Sequence, residues 1–270
     1  MKVGIGSYTL TWSVGVPGYE TPQEPLTARG LLLLASERGI KLVQMADNMP
    51  LHLMDDGALR ELRDLAEELR IELEIGTRGT EPGHLLDYLR IADLLGARLV
   101  RTLITIADLD VAAEQLREAL PKFEAAQVTL AIENHGLHTT KQLSALFDVL
   151  ESPYAGCCLD TVNSFSALDS PDTVIRDLSP YVVNLHVKDF DITRVDHQMG
   201  FAILGKPAGH GKLNIPGLLT VLDSLGKKPN AILELWTPYA GTVEQTVAIE
   251  RQWLDQSLAY LRTLPLLNME

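Results

Sequence analysis

Eight short apolar runs recur along the chain, each followed by a few polar residues and then an amphipathic stretch. They are 2–7 (KVGIGS), 41–46 (KLVQMA), 72–77 (ELEIGT), 98–103 (RLVRTL), 129–133 (TLAIE), 156–160 (GCCLD), 182–187 (VVNLHV) and 231–235 (AILEL). All are of strand length and most are rich in Val, Ile or Leu, as parallel strands covered on both faces are. The stretches between them read as helices. In 58–70, Leu59, Leu62, Leu65, Ala66 and Leu69 share one face. Segment 26–38 stops at Gly39 and segment 84–95 at Gly96, both helix-terminating positions. Thr139 and Gln142 form a capping box ahead of 143–150. Ser170 and Pro171 supply a cap and a first-position proline for 172–178. Segments 216–225 and 242–264 complete the set, and 111–126 carries Pro121, which is expected to kink or divide it.

Eight strand–helix units in 270 residues meet the requirement of a (β/α)8 TIM barrel, typically about 250 residues. A doubly wound open sheet is the competitor, but it commonly carries a Gly-rich phosphate loop after its first strand. Here the first run continues into Ser7-Tyr8-Thr9-Leu10-Thr11-Trp12, and Gly4 with Gly6 do not make that loop. Residues 1–270 are therefore read as one barrel domain.

Charge narrows the partners. The chain has 23 basic and 36 acidic residues, a net charge of −13. Such a surface repels phosphate backbones, which argues against nucleic acid. No apolar run is long enough to cross a bilayer, which argues against a membrane partner. The opening MKVGIGSYTL lacks the apolar stretch and cleavage site of a signal peptide. The only two cysteines, Cys157 and Cys158, are adjacent, a poor geometry for a disulfide. A reducing, cytoplasmic location is expected.

In such barrels the active site lies at the C-terminal ends of the strands. The last four runs end at or beside Glu133, Asp160, His186 and Glu234. Singly, each has an ordinary explanation as a cap or a loop residue; Asp160 before Thr161, for instance, can cap the next segment. Four in a row, each in an otherwise apolar strand where an unpaired charge is costly, point to one site. Three carboxylates and an imidazole suit one hard divalent cation. Mn2+ is the expected ion, with Mg2+, Co2+ and Zn2+ as alternatives.

These residues stand in AIENH (131–135), CLDTVNS (158–164), NLHVKDF (184–190), PAGHGKLNIPGLL (207–219) and ILELW (232–236). Together these segments resemble the xylose-isomerase-like barrels, also called sugar phosphate isomerases/epimerases, over essentially the whole chain. The resemblance implies that Glu133, Asp160, His186 and Glu234 hold one divalent metal. It also implies that Glu133 and Glu234 act as the acid/base pair on either side of the substrate carbon, and it admits a homo-oligomer. Two departures from the 3-epimerases stand out: Asn163 replaces their usual histidine, and the nearest arginine after His186, Arg194, is differently spaced. Segments 6–9 (GSYT) and 12–18 (WSVGVPG) resemble a subgroup, the 3-oxo-isoapionate decarboxylases.

Arg78 follows the third run and Arg101 lies inside the fourth. An arginine within an apolar strand requires an anionic partner. That partner is either an internal carboxylate, with Glu74 and Glu133 as candidates, or a substrate carboxylate or phosphate. His52, Asn163 and Lys188 are further candidates for substrate contact. Segment 191–214, long for a βα loop and with four glycines, is expected to cover the mouth as a lid or to touch a neighbouring subunit.

The resulting expectation is a metal-dependent isomerase or epimerase acting on a small keto sugar or sugar acid through an enediolate. Decarboxylation of a 3-oxo sugar acid, which reaches the same enediolate by losing CO2, is the alternative. Dehydration of a keto polyol is third.

Overall fold

The computed structural model describes residues 1–197 and 199–269. The barrel strands are β1 (Val3–Gly6), β2 (Leu42–Met45), β3 (Glu72–Gly76), β4 (Leu99–Leu103), β5 (Thr129–Glu133), β6 (Ala155–Asp160) and β7 (Val182–Val187). A hairpin of β8 (Asp189–Arg194) and β9 (Phe201–Lys206) comes next, and β10 (Asn230–Leu233) is the last barrel strand. The helices are α1 (Thr11–Val14), α2 (Ala28–Glu37), α3 (Asp56–Leu69), α4 (Pro82–Leu95), α5 (Leu109–Ala126), α6 (Thr140–Leu150), α7 (Pro171–Leu178), α8 (Ile215–Ser224) and α9 (Val243–Leu261).

Strands β1 to β7 and β10 pair in parallel, and β10 closes on β1, giving a (β/α)8 TIM barrel. Each of the eight expected runs overlaps one barrel strand, with β6 and β10 starting one residue earlier than expected. The helix ends follow local chemistry. Thr27, Asp55, Thr139 and Ser170 each accept a backbone N–H in the first turn of α2, α3, α6 and α7, and the Thr139–Gln142 capping box forms. Apolar faces such as Leu59, Leu62 and Leu65 of α3 pack into the layer between helices and barrel.

Two expectations are corrected. Pro121 neither divides nor ends α5, which runs unbroken from Leu109 to Ala126. Pro121 and Arg117, the residue whose carbonyl the proline leaves without a donor, both lie on the solvent side, where water takes the place of the missing bond. Segment 191–214 is not one irregular loop. Its first part is the antiparallel β8–β9 hairpin, and none of its described residues lines the central cavity; Gln198 lies outside the described residues.

The second part, the glycine-rich turn, is organised by Asp189. Its carboxylate accepts from the backbone N–H groups of Gly209, Gly211 and Leu213. Gly209 has φ +80° and lies against the Tyr260 ring, and a Cβ on Gly211 would come within 2.2 Å of Asp189 Oδ1.

Glu250, in the middle of α9, is fully buried. It accepts from the backbone N–H groups of Trp12 and Ser13 and from the Ser13 hydroxyl, satisfying the open N-terminus of α1. Burial pushes its carboxyl up to about 7, against the pull of those hydrogen bonds. The folded state thus holds this proton more tightly than the unfolded chain, so the group's contribution to stability falls as pH rises from about 4.5 to 7. Glu250→Gln is expected to gain on the wild type by about 3 kcal/mol between pH 4.5 and 8. Urea denaturation of both proteins across that range checks it; a pH-independent difference contradicts it.

Candidate metal and sugar site at the barrel mouth

The strand register brings the last four runs to one rim. Asp160 is the partner of His186 across β6 and β7, Glu133 pairs with Cys158, and Glu234 follows the end of β10 directly. All four candidate ligands are buried. One oxygen each from Asp160 and Glu234 and one ring nitrogen of His186 lie within 4.8 Å of one another. Nδ1 of His186 is 3.2 Å from Glu234 and 3.4 Å from Glu133.

The imidazole is oriented from beneath. Its Nε2 donates to Gln44 Oε1 at 2.8 Å, while the Gln44 amide nitrogen donates to Glu74 and Asn184. That network gives Gln44 its oxygen-up orientation, places the imidazole proton on Nε2 and leaves the Nδ1 lone pair facing the carboxylates. Glu74 accepts further bonds from Asn184 and Asn230; burial raises its carboxyl, and these donors oppose that shift. Glu74 is therefore the floor of the site rather than a partner of Arg101.

Asp160 is divided by function. Its Oδ1 accepts from the backbone N–H groups of Val162 and Asn163, which leaves Oδ2 for the mouth. Nδ1 of His186 makes no hydrogen bond, and buried Oδ2 of Asp160 and Oε2 of Glu234 are met only by the Lys188 ammonium. Three such atoms from three strands, two of them anionic oxygens and one an imidazole nitrogen, fit a divalent cation. Cys158 lies beside Glu133 and His186, but burial pushes its thiol well up, so it is no thiolate.

Around this centre is a cavity of about 440 Å³ lined by residues including Tyr8, Trp12, Arg78, Arg101, Asn163, Lys188 and Trp236. Arg101 is almost completely buried. It donates to Glu133, to Asp47 Oδ1 at 2.8 Å and to the Thr77 carbonyl at 3.1 Å. Burial works against its charge, but Glu133 and Asp47 outweigh that and hold the guanidinium protonated. Asn163 donates to the other oxygen of Glu133 at 2.7 Å. Glu133 is raised by burial, yet Arg101 above all, with Lys188, brings it below the ordinary carboxylate range. Arg78, by contrast, has an exposed side chain at the rim, 3.6 Å from Asp47. Lys188 contacts Asp160 and Glu234, and its ammonium is 5.7 Å from the centre of the Trp236 ring.

His52 is not brought into the cavity. It is exposed on the turn after β2 and bonds the Tyr88 hydroxyl. Its loop contributes Asp47 instead, which ties Arg101, Arg78 and the Tyr8 hydroxyl together. Burial and Asp47 push the Tyr8 phenol up to about 12. Asp47 lies two residues past the end of β2, so the strand-end rule that singled out Glu234 points to it as well. Tyr8 was signalled only by the GSYT segment.

Residues 32–264 match the family model described as xylose isomerase-like TIM barrel, and the chain belongs to that family. It is 34% identical over 269 residues to a 3-oxo-isoapionate decarboxylase of Pectobacterium atrosepticum, covering 97% of this chain and 96% of the relative. Among solved structures, a D-psicose 3-epimerase of Clostridium cellulolyticum with D-tagatose shares the fold with a TM-score of 0.72 and 17% identity, covering 98% and 99% of the two chains. A xylose isomerase-like barrel of Mycobacterium smegmatis in complex with magnesium has a TM-score of 0.66 at 15% identity, covering 86% and 88%.

The two arginines separate by experiment. Arg101→Met strands two carboxylates below the rim and is expected to cost about 3–5 kcal/mol in chemical denaturation. Arg78→Met, at an exposed position, is expected to stay within about 0.5 kcal/mol of wild type. Equal effects would contradict the division.

Proposed function

We propose that the protein is a divalent-metal-dependent decarboxylase of a small 3-oxo sugar acid, with Glu133, Asp160, His186 and Glu234 as the metal ligands. The observation that carries this reading is the state of Glu133. One oxygen is held by Arg101 and the other by Asn163, so it is fixed as a carboxylate and poorly placed to shuttle protons. Isomerisation and epimerisation require a base that removes a proton from carbon. Decarboxylation does not: the bond from the 2-carbon to the carboxylate breaks, its electrons pass to the 3-keto oxygen, and CO2 leaves. The relative that is 34% identical supports the same choice.

Glu133, Asp160, His186 and Glu234 would hold the divalent cation, which would supply Lewis acidity to the keto group. The chain supplies the rest. Arg78, exposed at the rim, and Lys188, in the wall, receive the substrate carboxylate. Asn163 orients hydroxyl groups, and Trp12 and Trp236 form apolar sides that limit water. After CO2 departs, carbon needs one proton. Solvent supplies it: Asp160 and Glu234 hold Lys188 protonated against its burial, and Glu133 and Asp47 do the same for Arg101, so both stay cations.

Isomerisation or epimerisation of a keto sugar is the second reading. It is favoured by the placement of Glu133 and Glu234, which approach His186 Nδ1 within 3.4 Å and 3.2 Å and so flank one point.

Incubation of the Mn2+-loaded protein with 3-oxo sugar acids and ketoses in D2O separates the two. Stoichiometric CO2 with deuterium in the new C–H bond is expected. Deuterium in a recovered or isomerised ketose, with no CO2 from any acid, contradicts the decarboxylase reading. Glu234→Gln is expected to keep the fold and to lower turnover by roughly 100-fold or more.

A further inference from the structure

Lys188 follows the end of β7 and is nearly buried. Its ammonium is 2.8 Å from Asp160 Oδ2 and 2.7 Å from Glu234 Oε2. Asp160 Oδ1 is taken by two backbone N–H groups, while Glu234 Oε1 faces the Nδ1 lone pair of His186. On Asp160 the oxygen open to a divalent cation is therefore the one that Lys188 contacts, and on Glu234 the ammonium sits on the carboxylate that the cation would share.

An ammonium and a divalent ion at contact distance from the same carboxylates repel each other strongly at a site shielded from water. Lys188 keeps partners on the cavity side: in the same position its Nζ is 3.3 Å from Asn163 Oδ1 and 5.7 Å from the centre of the Trp236 ring, and both residues line the cavity. Arg101 is held in place by two carboxylates and a carbonyl.

Building on the metal-dependent reading above, we propose that Lys188 competes with the divalent cation for Asp160 and Glu234. Cation binding then turns the ammonium toward Asn163 and Trp236, where it meets the anionic group of the substrate. The cation and an acidic substrate thus bind with positive coupling through a residue that contacts neither carboxylate in the loaded site. A neutral ketose gains nothing from the released charge, so Lys188 becomes a determinant of specificity for acids.

Calorimetric titration of Mn2+ into the wild type and into Lys188→Met tests the competition without any turnover. The variant is expected to bind Mn2+ roughly tenfold more tightly or better, because the competing charge is gone. Equal or weaker binding by the variant, with normal binding by the wild type, overturns the competition and leaves the metal-dependent reading standing. Failure of the wild type to bind Mn2+ overturns both. Should the variant not fold, the ammonium resonance of Lys188 in the 15N-labelled wild type gives the answer alone: Mg2+ is expected to shift or broaden it, and an unchanged signal overturns the proposal.

Discussion

Charge buried at the C-terminal rim of the barrel is the constraint on which the rest of the site depends. Glu133, Asp160 and Glu234 are all buried within one ring of strand ends, and isolated carboxylates there would carry a heavy desolvation cost. Two cations answer them. Arg101 is locked to Glu133 and Asp47, and Lys188 spans Asp160 and Glu234. The difference between the two pairs is chemical. A guanidinium fixes geometry through several planar donors, whereas an ammonium is a compact point charge on a flexible stem. One half of the rim is therefore rigid and the other adaptable.

Beneath the rim lies a second polar layer, and it determines how the first is presented. Glu74 gathers Gln44, Asn184 and Asn230, and Gln44 in turn orients His186. Such a layer is tolerable inside a barrel because its members satisfy one another. On the outer side, Glu250 fastens the short helix that carries Trp12 into the cavity wall. The site is thus held from the barrel interior and from the last helix, with little contribution from flexible loops.

Much of this is legible in the sequence. Short apolar runs alternating with amphipathic stretches mark the eight barrel strands, because parallel strands covered on both faces leave that trace. Reading strand ends recovers Glu133, Asp160, His186 and Glu234, which the register does bring to one rim. The internal partner of Arg101 narrows to two candidates, of which Glu133 is correct; Glu74 sits one layer lower, a depth that linear spacing does not reveal. Asp47 is overshadowed by His52 in the same loop. The β8–β9 hairpin is hidden because the glycines of its segment signal a loop more strongly than the period-two alternation of Asp189–Arg194 signals a strand. Pro121 misleads because a proline on the wet face of a helix costs less than one facing the core.

The proposed chemistry turns on one cation, proposed to be held by four strand-end side chains. Crystals grown with Mn2+, with diffraction recorded on both sides of the manganese absorption edge, test this most directly. A single anomalous peak per chain among Glu133, Asp160, His186 and Glu234, with Lys188 turned toward Asn163, is the predicted result. A peak elsewhere, or none at saturating Mn2+, would contradict it.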